Sequence, residues 1–150
     1  MPNGGKEKNK PKLLLSMSYH SPRWGTLKPG HRHCHDFCEI MFVKDGSGKV
    51  IFDDGEEKFK KGDVVVYNPG TMHSECFDEQ PVATIVFIGI SNLAIEGLEP
   101  GCLCKGKHAV LSSETHYDAL FFYLDQLFSE KDQHTVQGVA IYKELLNIII

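Results

Sequence analysis

His33-Cys34-His35-Asp36-Phe37-Cys38-Glu39 puts two imidazoles and a carboxylate into seven residues, and six more lead to Gly46. Side chains of an extended strand alternate between faces, so positions 33, 35 and 39 share a face that can look into a barrel. A second stretch, Gly62-Asp63-Val64-Val65-Val66-Tyr67-Asn68-Pro69-Gly70-Thr71-Met72-His73, closes one strand with a turn and opens the next on a histidine. That histidine is a fourth donor for the same point. A lone histidine in a strand is ordinarily a hydrogen-bonded polar residue; His33, His35, Glu39 and His73 together argue for metal. Three imidazoles and one carboxylate suit one divalent transition ion (Zn, Ni, Mn, Fe or Co), with two positions of an octahedral ion left for water or a bidentate ligand. Cys34 and Cys38 have the opposite parity and are expected to be small core residues pointing away from the ion.

Outward from these stretches, the chain reads as short strand-like runs separated by turn residues: 13–19, 33–43, 49–52, 57–59, 63–67, 73–76 and 83–90. Asp45-Gly46 and Asp54-Gly55 suit tight hairpins and predict antiparallel pairing, because glycine tolerates the positive φ such turns require. Residues 91–107 contain Gly97, Pro100, Gly101 and Gly106, keep no period and read as loop. The loop holds Cys102-Leu103-Cys104 with His108 nearby, either a second soft site or a chance spacing, since CxC is less telling than CxxC. His20, His31, His116 and His134 match no motif.

After Ser113, a possible N-cap, the period becomes helical: Tyr117, Leu120, Phe121, Leu124 and Phe128 fall on one face. Residues 130–134 are polar, and Thr135 then caps a second expected helix running to the end. Val136, Val139 and Ala140 form one apolar line on it, and Ile141, Leu145, Ile148 and Ile149 another. Two apolar stripes need two packing surfaces. The closing Ile148-Ile149-Ile150 is costly to leave in water, which points to a piece of a longer protein or an end buried in a partner.

Composition fits one soluble folded domain: 150 residues, 41% hydrophobic, 24% charged, formal net charge -4. Acidic balance disfavours contact with a phosphate backbone, which relies on Lys and Arg. The one basic cluster, Lys6-Glu7-Lys8-Asn9-Lys10-Pro11-Lys12, has no aromatic interleaving and reads as a solvated flexible arm over residues 1–12. No signal-peptide core and no membrane-length apolar run is visible. Five cysteines fit no secreted disulfide framework, and a reducing cytoplasm is the expected location.

The two metal-donor stretches resemble the cupin superfamily. Its first motif, HxH, three or four residues, Glu, six residues, Gly, is met by His33, His35, Glu39 and Gly46. In its second, Gly62, Gly70 and His73 match, while Asn68 stands where a proline is usual; Phe77 and Leu27 are departures that remove no ligand. The resemblance implies a mainly β cupin barrel (double-stranded β-helix, or jelly-roll) over 13–111, followed by two C-terminal α-helices over 112–150. The wider pattern is similar to the sensor half of AraC-type transcription regulators: arm, cupin core, Ile88-Gly89-Ile90-Ser91-Asn92-Leu93 with Gly97-Leu98, then two helices, the second with Lys143-Glu144-Leu145-Leu146.

That resemblance implies a cytoplasmic domain that binds a small-molecule effector in its barrel and forms a homodimer through its C-terminal helices. DNA would be contacted through a helix-turn-helix domain that follows in the full protein. Ile141, Leu145 and Ile149 would then meet the partner's copy, the alternative being that both stripes pack on the barrel and first helix. Phe37 and Met41 share the parity of Glu39 and are candidate pocket residues or ordinary core. Arg23 as an anion contact and Trp24 as a stacking platform are candidates on a lid, or else solvent-facing loop residues. The rival reading is a metal-dependent cupin enzyme, a dioxygenase, isomerase or decarboxylase; no separate acid/base pair stands out in the sequence beside the ligands.

Overall fold

The structure is a computed structural model that describes residues 11–20, 31–79 and 82–130, with side chains not described at 13–20 and 130. Arg23 and Trp24, and the expected second helix with Ile141, Leu145 and Ile149, lie outside the described residues. Among the described residues the strands are β1 (Lys12–His20), β2 (Cys38–Asp45), β3 (Ser47–Phe52), β4 (Glu56–Lys60), β5 (Asp63–Tyr67), β6 (His73–Phe77), β7 (Thr84–Ser91) and β8 (His108–Ser112), followed by a helix, α1 (Tyr117–Glu130). The chain divides after Ser112 into two compact units.

In the first unit, five strands pair in the order β1-β7-β2-β5-β8 and three in the order β4-β3-β6. Every pairing is antiparallel. The expected continuous barrel is therefore corrected to two sheets that no backbone ladder joins. The reason is visible at Gly46. Asp45-Gly46 was expected to close a hairpin, yet β2 pairs with β5 and β7 while β3 pairs with β4 and β6. Here the chain leaves one sheet for the other, with φ at +86° and the space of a Cβ already taken by Ala83, whose Cα would lie 2.5 Å away. Asp54-Gly55 does connect an antiparallel pair, β3 with β4, and the amide of Phe52 donates to the carbonyl of Gly55 at 2.8 Å.

Alternation places Met41, Val43, Val50, Phe52, Phe59, Val65, Tyr67, Ala83, Ile85 and Phe87 in one buried interior cluster. Large side chains fill it, each contributing about 1.5–3 kcal/mol by leaving water. The strand expected over 33–43 is shorter: β2 begins at Cys38, and a bend at Asp36 and Phe37 separates it from a single bridge between His33 and His73. β8 was not anticipated as a strand. In the second unit, the amide of His116 bonds to the carbonyl of Ser113 at 2.7 Å before α1 begins. On α1, Phe121, Leu124 and Leu127 are buried while Tyr117, Leu120 and Phe128 are half-buried. Among the described residues no helix is long and apolar enough to cross a membrane.

Candidate metal centre

Three elements meet at one end of the interior. Residues 31–37 run in from outside the sheets and are held by main-chain bonds. The His33 amide donates to the His73 carbonyl at 3.0 Å, the His73 amide to the His33 carbonyl at 2.9 Å, and the Gly70 amide to the His35 carbonyl at 2.7 Å. An ion pair between Arg32 and Asp53 adds to these. Glu39 follows at the start of β2, and His73 opens β6. Their donor atoms, one each from His33, His35, Glu39 and His73, all lie within 4.8 Å of one another.

The histidines are prepared as ligands. Nδ1–H of His33 donates to the carbonyl of His31 at 2.7 Å, and Nδ1–H of His73 to that of Thr71 at 2.8 Å. With Nδ1 committed, Nε2 is the atom left to face the site, the arrangement that orients metal-ligating imidazoles. Nε2 of His73 is 3.2 Å from Oε2 of Glu39, and Nε2 of His35 is 3.5 Å from the same oxygen. His73 is 1% and Glu39 4% exposed. Yet Nε2 of His73 and Oε2 of Glu39, both buried, find no partner with good hydrogen-bond geometry. A neutral imidazole lone pair and a carboxylate lone pair facing at 3.2 Å repel, so the pocket calls for a positive charge between them. Burial alone would push the His73 imidazole down, but contact with Glu39, the Thr71 carbonyl and the charge of Glu75 outweigh it and raise it. The carboxylate 3.2 Å away biases the ring toward the charged form. A divalent ion answers the same need, and the donor set fits one.

The neighbours are equally specific. Phe37 is half-buried with its ring stacked on His35 at 4.7 Å, beside the site. Met41 is fully buried in the interior, its sulfur 3.7 Å from the Tyr67 hydroxyl. Cys38 is buried as expected, its thiol pushed up to about 12 by burial and by Cys104 and Cys102, so it stays protonated. Cys34, expected in the core, is exposed: with no continuous strand at 33–37, its parity does not point it into a sheet. His108 stacks on Phe52 at 3.5 Å with Nε2 3.1 Å from Glu57. Cys102 and Cys104 line a separate hollow of about 390 Å³ with Glu99 and Lys105.

Two residues of the site escaped the sequence reading. The Tyr67 ring lies flat on His73 at 3.9 Å, and its hydroxyl donates to Oε1 of Glu75 at 3.1 Å. Burial, then the charge of Glu75, holds the Tyr67 phenol well above its ordinary value, so it remains a donor. Glu75 stands 3.6 Å from Nε2 of His73. The signal was present: 73 and 75 share a face of β6 by strand alternation.

Residues 24–81, which contain all four donors, match the sequence model of the AraC-like ligand binding domain. No curated protein matches the chain's sequence. Among solved structures, apo ToxT K231A from Vibrio cholerae strain SCE256 superposes with a TM-score of 0.60 at 13% identity, over 87% of this chain and 52% of that one. Wild-type ToxT from the same strain, with unsaturated fatty acid bound, gives 0.57 at 11% identity over 99% of this chain and 53% of that one. YhaK from Escherichia coli gives 0.52 at 12% identity over 69% of this chain and 43% of that one. The chain thus spans about half the length of ToxT. The donor motifs, the two facing sheets and the match over 24–81 identify a cupin-type fold that resembles the AraC-like ligand binding domain.

Proposed function

We propose that this chain is the effector-binding part of an AraC-type transcription regulator, and that its effector site is a divalent transition-metal centre held by His33, His35, Glu39 and His73. The observation that carries this is the pair of buried, unsatisfied atoms, Nε2 of His73 and Oε2 of Glu39, converging with two further imidazoles. When bound, the ion supplies a Lewis-acidic point with positions open to an oxygen ligand. The protein's own groups do the rest: the His31 and Thr71 carbonyls fix two ring orientations, and Phe37 flanks the way in beside His35. An interior filled by Met41, Phe52, Phe59 and Tyr67 leaves the polar end as the place for a ligand. A small polar effector suits that end better than the fatty acid bound to ToxT.

In this reading the effector shifts an equilibrium by binding one arrangement of the domain more tightly. Ile141, Leu145 and Ile149 join two copies, and DNA is contacted by a helix-turn-helix domain beyond this chain. The cytoplasm is the compartment in which such a regulator works. The test is elemental analysis of purified protein after loading and desalting: about one transition ion per chain is expected, and none in His73→Ala. Wild type that stays metal-free under every loading condition would refute the metal site. Sizing at micromolar concentration should give a dimer; a clean monomer refutes the role of the last helix.

One observation favours a second reading, a metal-dependent cupin enzyme: Glu75 and Tyr67 put an acid/base pair beside the ligands. The coding sequence after Ile150 separates the two, since an in-frame basic helix-turn-helix supports the regulator and a stop codon supports the enzyme.

A further inference from the structure

The second carboxylate needs its own account. Glu75 is inside the fold, its side chain 11% exposed, and no motif requires it there. Its position is not accidental, because the buried Tyr67 hydroxyl, packed between His73 and Met41, donates to Oε1. At 3.6 Å from Nε2 of His73, that oxygen is too far for a hydrogen bond and close enough to face whatever His73 binds. It is also absent from the four groups whose donor atoms converge.

From this geometry we infer that Glu75 selects the exogenous ligand of the site: a neutral oxygen donor that also carries a proton to give, such as a hydroxyl or a primary amide, over a carboxylate. The inference rests on the metal reading proposed above. A divalent ion is balanced by the carboxylates of Glu39 and Glu75, the three imidazoles being neutral when they ligate. An anionic ligand would bring a third negative charge into a largely buried site, at an electrostatic cost that a neutral ligand avoids. A neutral ligand with an N–H or O–H also gives Glu75 a hydrogen bond, and bonds to a charged acceptor are among the stronger ones. Tyr67 acts as a positioning residue by holding the carboxylate aimed at that ligand.

Acetate and acetamide have nearly the same shape and differ in charge and in the amide N–H, so they separate these effects. The protein is loaded with Co²⁺, whose visible absorption bands report changes at the ion, and each probe is titrated into wild type, Glu75→Gln and Tyr67→Phe. The expected result is a preference for acetamide in wild type, shifted toward acetate on the order of tenfold or more in Glu75→Gln, and by less in Tyr67→Phe. Co²⁺ itself should lose no more than about 10–100-fold in affinity in Glu75→Gln, the range for an outer partner of a metal ligand. An unchanged preference in both variants overturns the inference and leaves the metal site standing. A collapse of Co²⁺ binding in folded Glu75→Gln to the level of Glu39→Gln makes Glu75 a ligand and also overturns it. Wild type that takes up no Co²⁺ defeats the underlying metal reading instead. If Glu75→Gln does not fold, Tyr67→Phe decides alone.

Discussion

Asn68 stands where the cupin pattern usually has proline, and its side chain shows what the exchange achieves. Its Nδ2 donates to the carbonyls of Cys104 and Gly106, both at 2.8 Å, and its Oδ1 accepts from the Leu103 amide at 2.9 Å. Proline could make none of these bonds. Asn68 is thus the pin for the cysteine-bearing part of the 92–107 loop. Asn68→Ala should cost about 2–4 kcal/mol in urea unfolding, at ~1–3 kcal/mol for each buried group left unpaired. Asn68→Asp should cost at least as much, because it turns an acceptor toward two carbonyls. His73 carries a second prediction at this scale. In metal-free protein its folded value is raised above the ordinary 6.5, so folding binds its proton more tightly. That stabilisation is fully present below pH about 6.5 and is lost as pH rises through the folded value. The advantage of metal-free wild type over His73→Gln should therefore shrink as pH rises above the ordinary 6.5. Metal uptake should run the other way and strengthen with pH, because Nε2 must be deprotonated to ligate.

Among the elements, Gly46 makes the crossing between the two sheets possible, and Gly46→Ala should lose about 2–4 kcal/mol by thermal or urea melting, from positive-φ strain together with overlap on Ala83. The sequence signalled a turn at Asp45-Gly46 but not its partners, since local residues cannot say which strand lies beside which. Elsewhere period-two patterning served well: the run 63–67 became β5 with the same bounds, and most other strands differ by one or two residues at an end. It failed where the pattern was right for another reason. Residues 33, 35 and 39 do converge, but across a bend at Asp36 and Phe37, with the first two held by bonds to His73 and Gly70 and not by a strand ladder. β8 was missed because His108-Ala109-Val110-Leu111-Ser112 follows a glycine-rich loop and is too short to show a period; only pairing with β5 reveals it. Glu75 was legible in parity alone, and Tyr67 was not, because its role depends on stacking across strands.

At the scale of the whole first unit, the four ligands come from three pieces of chain that backbone bonds connect only sparsely. Glu39 belongs to the five-stranded sheet and His73 to the three-stranded one, while His33 and His35 sit on the segment that closes over them. A bound ion is therefore a cross-link between two sheets that share no backbone ladder, as well as a binding site. Ligand binding to the folded state alone adds about 2.7 kcal/mol of stability at a free concentration 100 times the dissociation constant. Loading with Zn²⁺ should accordingly raise the unfolding midpoint, and a chelator should return it to the metal-free value. Because the ion joins the sheets, amide exchange should slow at the start of β2 and at β6 together, while β4, separated from β6 by β3 in the pairing order, changes less. His73→Ala should show neither the shift nor the protection. Protection confined to residues 31–39, with β6 unaffected in loaded wild type, would mean that the ion does not join the two sheets through His73.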